Sequence, residues 1–229
     1  MLLSEPRYTV VPHYLLESMV PDTDEVIVSI RHDIDYDPYT ALKLAKLEAA
    51  YGMSTTYYIL HSASYFGHFN DHRIIIYGAN FAIWDSISML GHEIGDHNNY
   101  ITMEILTKLD MASVIETWRG MLSFYGITIY GSAAHGSALC SRYDYSNYEY
   151  FSDFAEAEAI WVQDTPYLLG QVSMRDMHYD YEAYHIQKDY YISDSGGRWP
   201  DGGSPLEVLP EIEGGNKVII LAHPVWWDL

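Results

Sequence analysis

The sequence of 229 residues predicts an α/β fold, namely a distorted parallel (β/α) barrel with seven strands. Short runs rich in β-branched and aromatic residues alternate with helical patterns, which is typical of a parallel sheet covered by helices. The run "KVIILA" is apolar after its first residue, as expected of a strand that is buried on both faces. Polar residues directly follow several of these runs, and barrel closure would bring such strand ends to one rim. Because the last third of the chain contains few clear strand–helix units, we expect fewer than eight strands.

The predicted elements begin with a strand at residues 25–31. Asp37 and Pro38 then supply an N-cap and a first-turn proline for a helix that ends at Gly52. Further strand-like runs lie at 54–60, 92–95, 127–132, 159–164, 171–174, 189–193 and 217–224, of which those in the last third of the chain are less regular, and further helices lie at 80–91, 102–125 and 204–215.

The composition indicates one domain, residues 1–229, and excludes some partners. Twelve Lys and Arg against 32 Asp and Glu give a formal net charge of −20, which repels a polyanion, so we expect no nucleic acid partner. No run approaches the roughly 20 apolar residues that span a bilayer. Glu5 and Arg7 interrupt what would be the apolar part of a signal peptide. The lone Cys140 agrees with a reducing compartment, so we expect a cytoplasmic protein.

Five segments carry polar residues directly after predicted strands. They are "RHDID" (31–35), "GHEIGDH" (91–97), "SAAHGS" (132–137), "SDSGGRW" (193–199) and "LAHPVWW" (221–227). Asp and His suit zinc or a similar divalent ion, and a catalytic zinc site needs about three protein ligands and an open position for water. The five segments together therefore predict a metal site at one rim of the sheet.

The order of these motifs resembles the polysaccharide deacetylase family, the NodB-homology domain of carbohydrate esterase family four. "YGMSTTYYI" (51–59) echoes the family's "HGVKATFFV", "GHEIGDH" matches its "GHEIGxH", and "VIILAH" (218–223) matches its closing "LxH". The resemblance covers residue 26 to the C-terminus. "RHDID" stands where the family has "TFDDG", and this variant resembles a divergent branch linked to bacterial surface-polysaccharide biosynthesis.

The resemblance implies a catalytic-base aspartate and a metal-ligand aspartate in the first motif. Asp33 and Asp35 lie two apart and share a face of an extended strand. Counting back from Gly52 favours Asp35 as the ligand and leaves Asp33 as the base. The alternative, with His32 as the base and Asp33 as the ligand, keeps the adjacent spacing of the family and stays open.

The resemblance also implies residues in the later motifs. His97 matches the first metal histidine of the family, but the position of the second holds Ile101, which cannot bind a metal. His135, which follows another predicted strand, is our candidate for the third ligand. His223 matches the general acid, and Asp194 matches the acidic residue that orients a catalytic partner. The arginine of the family's third motif is not visible.

These residues imply a metal-dependent N-deacetylase that acts on an amino sugar or a surface-polysaccharide precursor. The expected cofactor is one divalent ion, zinc first, with cobalt, nickel or manganese as alternatives. A catalytically inactive, sugar-binding member of the same fold is the main alternative, because one family histidine is missing. A phosphoesterase, suggested by His32 and Asp33, ranks lower, since few positive residues are present to hold a phosphate.

Overall fold

A computed structural model describes residues 3, 5–70, 73–200 and 202–227 of the chain. It is a mixed α/β structure in which a curled parallel sheet of seven strands forms a half-barrel with helices. This confirms the predicted fold class. None of the described helices is long and apolar enough to cross a lipid bilayer.

The strands are β1 (Tyr8–Val10), β2 (Val26–Ile34), β3 (Thr56–Leu60), β4 (Gly67–Asn70), β5 (Arg73–Ile76), β6 (Glu93–Asn98), β7 (Gly131–Ala134), β8 (Ala159–Val162), β9 (Thr165–Leu168), β10 (Tyr181–Glu182), β11 (Tyr190–Ser193) and β12 (Asn216–Ala222). The α-helices are α1 (His13–Leu16), α2 (Pro38–Ala50), α3 (Phe81–Met89), α4 (Tyr100–Thr107), α5 (Met111–Ser123), α6 (Ala138–Tyr143) and α7 (Pro205–Val208). Short 3₁₀ turns occur at Gly78–Asn80, Asn147–Tyr150, Leu209–Glu211 and Pro224–Trp226.

The seven strands of the sheet follow the order β10-β7-β6-β3-β2-β12-β11, and β1 pairs with β2 in addition. The pairs β2 with β12, β11 with β12, and β6 with β7 are parallel. The register sets Ala222 opposite His32, so the ends of β12 and β2 lie side by side. Residues that follow these two strands therefore reach the same edge.

One compact unit contains the chain up to Tyr58, Ala82–Ile94 and the part from His185 onward. Its core consists of apolar side chains from β2, β11 and β12 that pack together, including Val28, Ile192 and Val218.

The N-terminus of α2 is capped as predicted, because the side chain of Asp37 accepts hydrogen bonds from the backbone N–H groups of Tyr39 and Thr40.

The other compact unit contains Ile59–Phe81 and Gly95–Tyr184. Its core includes Trp118 of α5, which is fully buried and meets the ring of Phe66 at 5.5 Å. Two antiparallel hairpins, β4 with β5 and β8 with β9, belong to this part of the sequence. The sequence did not predict the first hairpin, and it predicted only the first strand of the second.

The predicted long helix over 102–125 is wrong in one respect, because the structure has two helices there. Lys108 ends α4 in the left-handed conformation, and the side chain of Asp110 caps α5 by accepting from Ser113 N–H. The predicted strand at 127–132 is also shifted, since β7 begins only at Gly131. In place of the strand predicted at 171–174, the described structure has a single β-bridge, between Val172 and Phe151.

Candidate metal centre

The candidate site begins at the carboxyl end of β2. Asp33 is the last polar residue of this strand and is 2% exposed, while Asp35 follows the strand and is partly exposed. Side chains two apart in an extended strand point to the same side, so Arg31 shares this side with Asp33. The strand therefore places the guanidinium group of Arg31 and the carboxylates of Asp33 and Asp35 at one edge of the sheet.

Asp35, His97 and His135 form the one group of metal-binding side chains found among the described residues. One ligand atom from each residue lies within 4.8 Å of the other two. These are the three residues that the sequence predicted as ligands. The structure thus contains a possible metal-binding triad, and the identity of the ion stays a prediction.

Strands β6 and β7 hold the two histidines. Their parallel register sets His97 opposite Ala133, and Nδ1 of His97 lies 2.7 Å from the carbonyl oxygen of Ala133. The backbone N–H of His135, just past the end of β7, donates to the carbonyl of Asn98 at 2.7 Å. The two imidazole rings meet edge to face with 5.0 Å between their centroids.

This chemistry fits a divalent ion such as zinc. The hydrogen bond from Nδ1–H of His97 to a backbone carbonyl fixes the tautomer in which Nε2 carries the lone pair, as is usual for histidine ligands. Ligands about 2.1 Å from a tetrahedral ion lie about 3.5 Å from one another. One carboxylate and two imidazoles are then a normal donor set with an open position.

Beside Asp35 lies a histidine–carboxylate pair made by His223 and Asp194. Nδ1 of His223 lies 2.6 Å from Oδ1 of Asp194, and Nε2 lies 3.9 Å from Oδ2 of Asp35. The backbone N–H of His223 also donates to Asp194, and the backbone before Pro224 is extended, as the proline predicts. The ring is therefore fixed on one side and faces Asp35 with the other.

The charge state of His223 follows from its neighbours. Burial disfavours the imidazolium and lowers its pKa, but the hydrogen bond to Asp194 and the negative charges of Asp33, Asp194 and Asp35 outweigh burial. The net result is a pKa raised above its ordinary value of 6.5. More of the protonated form, which a general acid requires, is then present near neutral pH.

Arg31 is the neighbour that the sequence analysis missed. Its Nε donates to Oδ1 of Asp33 at 3.0 Å and its Nη2 donates to Oδ2 at 2.6 Å, so the pair is bidentate. Both side chains are buried, with 0% and 3% exposure. The signal was present in "RHDID", because Arg31 and Asp33 are two residues apart in a strand, and a buried arginine needs a carboxylate partner.

His32 and Ile101, the two other positions that the family motifs raised, do not belong to the candidate site. His32 alternates with Asp33 along β2 and therefore points to the opposite side, where its Nε2 lies 2.7 Å from Oε1 of Glu48. This geometry does not favour His32 as a base paired with Asp33 as a ligand. Ile101 is fully buried in α4, so the missing family histidine leaves an apolar core residue at that position.

Neither a scan against protein-family models nor a search of the curated proteins finds a match to this chain. The resemblance to polysaccharide deacetylases therefore stays an expectation from the sequence motifs.

Proposed function

We propose that this protein is a metal-dependent hydrolase that removes the acetyl group from an N-acetylated amino sugar, either free or within a surface-polysaccharide precursor. One observation carries the proposal: the metal-type triad of Asp35, His97 and His135 is accompanied by an acid–base pair, since Nε2 of His223 lies 3.9 Å from Asp35. A site that only binds metal does not need a histidine held in this way by Asp194.

A divalent ion bound by the triad would polarise the amide carbonyl and lower the pKa of a water molecule. Asp33 accepts the proton from the attacking water. The bidentate contact with Arg31 fixes the orientation of the Asp33 carboxylate.

His223 donates a proton to the departing nitrogen. An amine leaves a tetrahedral carbon poorly unless it is protonated, and Nε2 of His223 lies beside the candidate metal site, 3.9 Å from Asp35. Asp194 accepts a hydrogen bond from Nδ1–H, so that the proton on Nε2 is the one directed at the substrate. Acetate and a free amino sugar are the products.

The proposal is tested by metal content and acetate release on one preparation. Protein purified without chelator and resupplied with zinc should contain about one ion per chain, and it should release acetate from an N-acetylhexosamine oligosaccharide. Chelation should abolish release, and zinc or cobalt should restore it. Stoichiometric metal without acetate release would contradict deacetylation, whereas sugar binding without any metal would support the inactive alternative.

Replacing His135 by alanine should weaken zinc binding by about 10-fold or more, because one ligand of three is lost. Competition with a chromophoric chelator measures the affinity. His68→Ala is the matched control, since His68 is an exposed histidine of β4 and should leave the affinity unchanged. If His135→Ala and His68→Ala bind zinc equally well, His135 is not a ligand.

A further inference from the structure

An exposed tryptophan lies one turn of the chain beyond the proposed general acid. Trp226 ends the 3₁₀ turn Pro224–Trp226, and its backbone N–H donates to the carbonyl of His223 at 3.1 Å. The same turn contacts β2 and α2, the two elements that flank Asp35 in the chain. Trp226 therefore stands at the rim that carries Asp35 and His223.

The backbone of Gly197 lies against one face of this indole. A Cβ added at Gly197 would lie 3.2 Å from Cδ2 of Trp226, 3.3 Å from Cε3 and 3.5 Å from Cε2. Cδ2 is bonded to three other ring atoms and has no free edge, so the nearest contact at this atom comes from the face of the ring. Gly197 has a φ of +75°, which glycine adopts without strain, and its N–H donates to the carbonyl of Asp194 at 2.9 Å. The loop that carries Asp194 thus supports the ring from one side.

The opposite face of the indole is open to solvent, since Trp226 is 54% exposed although Gly197 covers one side. Tyr36, which directly follows Asp35, is 70% exposed. A single exposed aromatic ring is ordinary on a protein surface, but these two follow the strand ends that lead to Asp35 and His223. Exposed aromatic surface is therefore placed next to the proposed catalytic residues.

We propose that Trp226 is a platform on which a second sugar ring of the substrate stacks, so that the substrate is a glycan of at least two units and not a free monosaccharide. This inference rests on the proposed deacetylase function. One face of a pyranose ring presents C–H groups that pack on an aromatic face, and its hydroxyl groups stay in water or meet the indole N–H. Trp226 is then a specificity-determining residue.

The orientation of His223 shows why the stacked ring is a neighbouring unit. Its Nε2 faces Asp35 and its Nδ1 faces Asp194. The reacting amide belongs on the Nε2 side, whereas Trp226 packs on the loop of Asp194, on the Nδ1 side. The imidazole therefore separates the acetylated sugar from the indole, and only an adjoining sugar reaches Trp226.

The experiment measures acetate release by the zinc-loaded full chain from N-acetylglucosamine and from tetra-N-acetylchitotetraose. Per acetyl group, kcat/KM should be about 2- to 10-fold higher for the tetramer, the range that aromatic stacking supplies. Trp226→Ala should remove this preference by raising KM for the tetramer, because stacking acts equally before and in the transition state, and should leave the monosaccharide unaffected. Trp226→Phe keeps a smaller aromatic face and should retain part of the preference.

Trp161→Ala is the matched control, because Trp161 is a 64% exposed tryptophan of the β8–β9 hairpin. It should keep the full preference for the tetramer. An equal loss of turnover on both sugars in Trp226→Ala would mean that the indole only supports His223, and this result would overturn the proposal.

NMR titration of the full chain in chelator, with the same two sugars, separates this inference from the proposed function. The tetramer should bind about 2- to 10-fold more tightly than the monosaccharide, and Trp226→Ala but not Trp161→Ala should abolish the difference. If this binding pattern occurs without acetate release from the zinc-loaded protein, the platform stands and the deacetylase proposal fails. If the unmodified protein binds the two sugars equally or binds neither, the exposed ring serves another partner, such as a protein, and the platform is overturned.

Discussion

Two histidine–carboxylate pairs of nearly equal length lie on neighbouring strands, and their surroundings differ. His223 and Asp194 are separated by 2.6 Å at the end of β12, and the histidine side chain is 13% exposed. His32 and Glu48 are separated by 2.7 Å, His32 lies within β2, and its side chain is 3% exposed. The first pair faces another carboxylate, that of Asp35, and the second faces an apolar cavity.

The difference teaches that position along a strand decides what such a pair can do. Past the end of β12 the imidazole of His223 reaches the rim where the strand ends deliver Asp33 and Asp35. Inside β2 the same group is enclosed between the sheet and α2, where Nε2 of His32 is paired with the buried Glu48. We therefore expect loss of the first pair to affect turnover and loss of the second to affect folding.

The largest expected effect is on turnover. His223→Ala should lower the rate of acetate release by about 100- to 10,000-fold, the usual contribution of a positioned general acid, and should leave zinc content unchanged. His32→Ala should keep turnover per folded molecule within a few-fold of the unmodified protein. Acetate release and metal content measured on both variants make the comparison, and normal turnover in His223→Ala would end the acid assignment.

A smaller effect concerns stability. His32→Ala should lower the free energy of unfolding by about 1–3 kcal/mol, because Glu48 stays buried without its histidine donor. Chemical denaturation of the metal-free protein measures this loss. His223→Ala is the control and should lose less, since that ring is partly exposed and water can replace it. An equal loss in both variants would remove the distinction between the two pairs.

The smallest effect is a pH dependence of opposite sign for the two pairs. The pKa of Glu48 is lowered from 4.5, so its contribution to stability is present above pH 4.5 and is lost as the pH falls through the lowered pKa. The pKa of His223 is raised from 6.5, so its contribution is present below pH 6.5 and is lost as the pH rises through the raised pKa.

Melting temperatures across pH, measured in chelator, check these signs. Glu48→Gln should flatten the decline on the acidic side only, and His223→Gln should flatten the decline above pH 6.5 only. A variant that flattens the opposite side would show that another group causes the decline there.

The sequence was sufficient for the parallel sheet, because its strands are apolar runs with distinct ends. The run ending at His223 and the helix capped by Asp37 lie where periodicity and capping predict them. The break at Lys108 was missed, since helical periodicity continues through it and only the side chain of Asp110 starts a new helix. The sequence that connects β4 and β5 contains no Asn-Gly or Asp-Gly pair, so local pattern did not predict this hairpin.

Asp35, His97 and His135 were predicted to form a metal site from the motif resemblance and from their positions after predicted strands, and the structure brings these three side chains together as a possible metal-binding group. The contact of Arg31 with Asp33 could be predicted from their spacing, because residues two apart in a strand share a side. The apolar cavity that His32 and Glu48 line could not be predicted. Side chains from distant parts of the sequence, including Leu44, Trp199 and Trp227, line it, and no local pattern specifies such packing.

Because side chains alternate along β2, a change in the length of this strand alters both of its faces at once. Arg31 and Asp33 lie on one face, and Ile30 and His32 lie on the other. A codon lost or gained within this strand would exchange the faces, burying the carboxylate among apolar side chains and turning the imidazole toward the rim. Descendants of this gene can therefore vary β2 by substitution but not by insertion or deletion.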